Sequence, residues 1–169
     1  MASVPVYRGR FGVREAERLL WRAGFGPRKG EARRVASLGL DGAVRWLLHP
    51  PREKLTGPRP RDEKGHGLAP KDAYGHDHLW WLDRMVRTNR PLFERMTLVW
   101  HDWFATSNKG VGSQELMLDQ NRMLREHALG NFRRLLHEVT RDRAMLLWLS
   151  GVYNTKDSPN ENYARELME

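Results

Sequence analysis

From Val13 onward, apart from residues 52–70, apolar side chains recur at helical spacing almost throughout, and each run is closed by glycine or proline or opened by a capping residue. Alternating apolar and polar residues, the mark of a half-buried strand, appear nowhere. A chain with this punctuation has to bury its apolar stripes helix against helix. The predicted fold is therefore all-α, an orthogonal or antiparallel bundle of about eight or nine helices with no significant sheet. Its 169 residues suit one domain with a real core, and seven tryptophans supply bulk for it.

The first predicted helix runs from Val13 to Ala23 and is stopped by Gly24 and Gly26-Pro27. A second covers Lys29 to Leu38 and ends at Gly39. A third opens on Asp41 as N-cap, carries Val44, Trp46, Leu47 and Leu48, and breaks at Pro50-Pro51. Residues 52–70, rich in proline, glycine and charge, are expected to be a flexible loop or insertion. Beyond it, Ala73 to Thr88 reads as a helix with Leu79, Leu82, Met85 and Val86 on one face and Trp81 at its edge. Pro91 opens the next, to about Ala105. Ser113 caps one reaching Leu129, Asn131 one reaching Thr140, and Asp142 one reaching Leu149; a last helix starts near Asn160. That final helix carries no stop signal, so the chain is expected to be the N-terminal part of a longer domain.

Composition narrows the chemistry. With no cysteine, disulfides, thiolate metal sites and thiol nucleophiles are excluded. No apolar run approaches the roughly 20 residues of a membrane span, and Met1–Arg8 lacks the apolar centre of a signal peptide. The default compartment is the cytoplasm. The net charge of +8 raises the question of nucleic acid. Its arginines, however, are spread over every predicted helix among acids such as Glu15, Glu94 and Asp142, the pattern of solvated helix faces. A polar or anionic ligand or a protein partner fits this charge better than a dedicated nucleic-acid surface.

Four places could carry chemistry. On the helix after Pro91, Leu92, Phe93, Met96, Val99, Trp100, Trp103 and Phe104 share an apolar arc. His101 sits at its boundary, one turn after Thr97 and two after Glu94, which suits a half-buried imidazole that exchanges a proton or is hydrogen-bonded for structure. On the helix after Ser113, Gln120 and His127 fall within the apolar face of Leu116, Met117, Met123, Leu124 and Ala128. Buried polar groups need partners, so these two are expected in a network linking helices, or in the floor of a pocket. His76-Asp77-His78 has metal-like spacing, but at a helix start it is expected to be a solvated loop; no metal ligand set is assigned, and the residues define no cofactor. In the last segment, Glu161, Asn162, Arg165, Glu166 and Glu169 form one polar arc behind Asn160, with Glu161–Arg165 and Arg165–Glu169 at ion-pair spacing. The arc reads either as an ordinary surface helix or as a pocket wall in which Glu161, Arg165 and Glu166 orient a polar substrate, with Asn160 and Asn162 as binding groups.

Several of these stretches together resemble a known family. Leu20-Trp21-Arg22-Ala23-Gly24-Phe25-Gly26-Pro27, Trp81-Leu82-Asp83-Arg84-Met85, Glu94-Arg95-Met96-Thr97-Leu98-Val99-Trp100-His101, Phe104-Ala105-Thr106-Ser107 and Pro159 through Glu169 are similar, in order, to the bacterial domain of unknown function 1800 family. Gln120-Asn121, His127 through Phe132 and Thr140-Arg141-Asp142 fit it too. The resemblance implies identity without mechanism, a longer parent domain, and export for members. Members often carry a second histidine two places after the one matching His101; this chain has Trp103 there, which removes a two-histidine metal site from what the resemblance implies. The function expected is a polar pocket of a hydrolase-like enzyme, or alternatively a non-catalytic interaction or scaffold module for a protein or anionic partner.

Overall fold

The computed structural model describes residues 5–169. Ten α-helices follow in order among them: α1 (Val13–Ala23), α2 (Glu31–Ala36), α3 (Gly39–Leu48), α4 (His76–Arg87), α5 (Pro91–Trp103), α6 (Asn108–Val111), α7 (Gln114–Glu126), α8 (Phe132–Arg141), α9 (Arg143–Trp148) and α10 (Asn162–Met168), with a 3₁₀ turn at Gly151–Tyr153. The only pairings of strand type among these residues are two isolated bridges, Leu55 with Thr88 and Arg61 with Gly67. The protein is all-α, as its periodicity predicts. No helix of the described residues is long and apolar enough to cross a membrane.

Where local chemistry sets a boundary, the boundary is found. Ser113 Oγ accepts from Leu116 N–H, Asn131 Oδ1 from Arg134 N–H and Asp142 Oδ2 from Met145 N–H, each satisfying one of the free amides of a first helical turn. Pro91 occupies the first turn of α5. Elsewhere the expected boundaries shift. Gly39 does not end a helix but begins α3, its φ of +68° reversing the chain after the short turn at Ser37-Leu38; Asp41 consequently lies inside the first turn and caps nothing. α7 stops at Glu126, with His127 as its C-terminal cap, short of the predicted Leu129. α10 begins at Asn162, and Asn160 Oδ1 accepts the Asn162 N–H (3.0 Å) from just outside it. The one helix beyond the nine expected, α6, is too short to show periodicity; only its cap, Ser107 accepting from Lys109 N–H, signals it.

Two apolar clusters form. Ala16, Leu20, Val35 and Ala43 close the N-terminal one from α1, α2 and α3. Phe104, Leu124, Leu135, Val139 and Met145 form the other from α5, α7, α8 and α9, with Trp100 and Tyr163 packed at its margin. Helix α5 touches α1, α3, α4 and α7 and so ties the halves together. Gly24 permits this: a β-carbon there would lie 2.8 Å from Pro91 Cβ, so only glycine lets the end of α1 meet the start of α5.

Segment 52–70 holds no helix and is laid along the end of α4 by Thr56 N–H to Arg87 O (2.8 Å) and Asn89 N–H to Lys54 O (3.0 Å). The Arg28 guanidinium closes the same corner, donating to Thr56 Oγ1 (3.1 Å) and to the carbonyls of Val86 and Thr88. A cation on the last carbonyls of a helix satisfies acceptors the helix leaves free.

Two faces are oriented otherwise than their apolarity suggests. The face of α4 that carries Leu79, Leu82 and Val86 is turned outward, and Asp77, Trp81 and Arg84 point inward. On α5, Trp103 is 73% exposed, whereas Glu94 (1%) and Thr97 (0%) are buried. The inner line of α5 is thus Glu94, Thr97, His101 and Phe104.

Candidate functional site, a buried polar seam

Where α4, α5 and α7 meet, belonging to neither apolar cluster, lies a seam of polar groups. Its anchor is the Glu94 carboxylate. Arg125 on α7 grips it from one side, Nε to Oε1 at 2.6 Å and Nη2 to Oε2 at 3.0 Å, the parallel two-bond geometry that guanidinium and carboxylate planes favour. Arg84 on α4 adds Nε to Oε1 (3.1 Å) and Trp81 adds its indole N–H to Oε2 (3.3 Å). Arg125 also donates to Asn121 Oδ1 (2.6 Å), and Arg84 to Glu53 in the 52–70 segment. Both guanidiniums lie over the Trp80 ring, 5.2 and 5.5 Å from its centroid. With Arg84 and Arg125 themselves only 11% and 12% exposed, the ion cluster is nearly dry. Three helices and a loop are registered by one carboxylate.

One turn beyond Thr97, His101 opens the other end of the seam. Its ring meets Trp81 edge-on, centroids 5.0 Å apart. Together with Asp77, His78, Trp80, Trp81 and Asn121 it walls a cavity of about 70 Å³, room for one small polar group. Asp77 is buried and its Oδ1 lies 2.9 Å from His78 Nδ1. His101 Nδ1 is buried and has no hydrogen-bond partner, although buried nitrogens are nearly always paired. Burial pushes the His101 pKa below the usual imidazole range, Asp102 partly opposing and His78 reinforcing the shift. The ring is held neutral, with a nitrogen free to take a proton.

The burial of His101 carries a stability signature. Because its folded pKa lies below its unfolded value, the unfolded chain binds the extra proton between the two. This contribution is complete above the ordinary value of about 6.5 and is lost as pH falls through the folded value. Urea midpoints of the native protein are expected to drop as pH is lowered through that window, and the slope should be shallower in His101→Asn. Equal slopes would contradict a buried, depressed imidazole.

The structure sorts the remaining predicted residues into separate places. Gln120 is buried and linked as expected: it accepts from the Thr106 hydroxyl and donates to Asp142 Oδ2 (2.8 Å), joining α7 to the start of α9. His127 is half-buried at the end of α7 and stands outside that network. Glu161, Arg165 and Glu166 gather with Glu169 on the exposed side of α10, where Arg165 lies 3.5, 3.0 and 3.5 Å from the three carboxylates in chain order and donates to Asn162 Oδ1 (2.7 Å). Their charges, Glu166 first, hold the Arg165 pKa above its ordinary value. Asn162 also reaches Leu149 O (3.4 Å), and none of these α10 groups lines the His101 cavity. His76-Asp77-His78 is no solvated loop: it opens α4, with Asp77 buried and His76 Nδ1 accepting from Ala69 N–H (3.1 Å). Among the described residues no three metal-ligating side chains converge.

Arg84, Asn121 and Arg125 escaped the sequence reading as site residues; Asp77 entered it only within the metal-like spacing of His76-Asp77-His78, and Glu94 only as a neighbour of His101. One signal was present: Glu94, Thr97 and His101 share a stripe, which marks a candidate polar face when it abuts an apolar arc.

Fold and seam define an all-α domain whose helices are registered by a buried arginine–glutamate cluster beside a histidine cavity. The chain matches, over residues 18–169, the family model described as Protein of unknown function (DUF1800), and it belongs to that family. Comparison with curated proteins and with solved structures gives no match.

Proposed function

We propose that the His101 cavity is the reactive pocket of a hydrolase-like enzyme acting on a small polar group. The observation that carries this reading is a neutral imidazole, its buried Nδ1 unpartnered, on the wall of a cavity that also holds a buried carboxylate. His101 is the general base, taking a proton from a hydroxyl or water held in the cavity. Asp77 positions His78 through their 2.9 Å contact, and Asn121 offers an amide to the substrate. The Glu94 cluster beneath keeps the three helices in register, so the cavity is preformed.

The test is turnover of p-nitrophenyl esters of carboxylic, phosphoric and sulfuric acids. One of them is expected to be hydrolysed, and His101→Asn should lower kcat/KM about 10²–10⁴-fold at unchanged fold. The pH profile should rise with an inflection below about 6.5. Absence of turnover across the panel, or turnover indifferent to H101N, sinks the reading.

A second reading is favoured by one observation on α10. Glu166 and Glu169 flank a groove of about 540 Å³ whose other walls include the exposed Trp103, Leu167 and Met168. A non-catalytic module would use this face, with Glu161, Arg165 and Glu166 as the polar rim of a protein contact. In that case Arg165→Ala would weaken partner binding while H101N would not.

A further inference from the structure

We infer that the cleft that shares Trp80 with the histidine cavity is a binding site for a small organic carboxylate, with Arg90 as its anchor. The cleft has a volume of about 480 Å³, in the range of small-molecule sites, and Trp80, Arg84, Arg90, Phe93, Arg122 and Arg125 wall it. Three of its four guanidiniums are already matched: Arg84 by Glu53 and Glu94, Arg125 by Glu94, and Arg122 by Asp119 at 2.6 Å. Arg90 is different. Among the described residues it has no carboxylate within ion-pair distance, and its Nε is buried with no hydrogen-bond partner. Its guanidinium carbon sits 3.8 Å from the Phe93 ring centroid, so the cation is held against an aromatic ring, and its Nη groups make no hydrogen bond among the described residues.

A planar donor edge without an acceptor matches one ligand chemistry well, the two oxygens of an oxyanion. The surrounding charge narrows it further. Glu53 and Glu126 also line the cleft, so a dianion meets about twice the repulsion that a single carboxylate does. Trp80 and Phe93 line the cleft and supply its apolar surface for the body of the ligand. The site therefore takes a monocarboxylate on a flat or apolar frame, and it does so whether or not the histidine cavity is reactive.

Isothermal titration of the protein with benzoate, phenyl phosphate and acetate tests this. Benzoate is expected to bind saturably, more tightly than acetate and than phenyl phosphate. Arg90→Ala should weaken it about tenfold or more, the loss expected for a charge-assisted hydrogen-bonded pair. Arg90→Lys keeps the charge and the fold but removes the planar fork, and should also weaken binding. His101→Asn should bind benzoate as the native protein does, which separates this site from the catalytic reading. No saturable benzoate binding up to about 50 mM, a Kd untouched in both Arg90 variants, or tighter binding of phenyl phosphate than of benzoate overturns the proposal.

Discussion

Glu94→Ala is expected to cost about 3–5 kcal/mol of folding stability, the largest effect of any single substitution proposed for this protein. The carboxylate is 1% exposed and receives two guanidiniums and an indole N–H. Removing it leaves Arg125 charged, nearly dry and without its counter-charge, and leaves Arg84 with Glu53 alone, which is worse than never having had the pair. Glutamine keeps the shape and one acceptor but not the charge, so Glu94→Gln should retain most of the loss. The triple replacement Arg84→Met, Glu94→Leu, Arg125→Met removes all three charges together and should recover a large part of it. Urea unfolding of the three variants reads this directly. A loss below about 1 kcal/mol for Glu94→Ala would mean that the cluster behaves as a solvated surface network.

Asp142→Ala should follow, at about 2–4 kcal/mol. One oxygen, Oδ2, accepts both the Met145 N–H that starts α9 and the Gln120 amide (2.8 Å each). Alanine loses the cap and orphans a buried amide in one step. Asparagine can place its single oxygen where Oδ2 stands and keep both bonds, so Asp142→Asn should be near neutral. Burial raises the Asp142 pKa, partly opposed by Met145 N–H and Gln120. A raised folded pKa favours folding fully below the ordinary carboxylate value of about 3.9 and ceases to do so as pH rises through the folded value. Asp142→Asn should therefore compare best with the native protein near neutral pH and lose that advantage in acid. A thermal melt at pH 7 and pH 3.5 decides it, and an Asp142→Asn loss as large as that of alanine would contradict the shared-oxygen geometry.

These two clusters show what can be read from a one-dimensional pattern. Gln120 was legible because a polar residue inside an apolar stripe must be satisfied somewhere, and its partners Thr106 and Asp142 meet that need. Glu94 was not legible as an anchor. Its own stripe says only that it lies one side of an apolar arc, and its partners come from positions 10 residues before it and 31 after it. Trp103 and Leu82 misled in the opposite sense, as apolar groups on faces left open. Apolarity makes burial favourable, but which face is covered depends on what the neighbouring helices bring.

Nine of the ten helices, the caps at Ser113, Asn131 and Asp142, the proline start of α5, the ion pairs along α10 and the family are legible in the order of residues alone. All of these rest on interactions within a few residues of chain or on motif identity. That Glu94, Arg84 and Arg125 meet, that His101 shares a cavity with Asp77, and that the Arg90 Nε is left without a partner follows from packing between distant helices. The reason is range: helix signals are local, whereas the desolvation that makes a charge structural or an imidazole neutral is set by side chains arriving from distant helices.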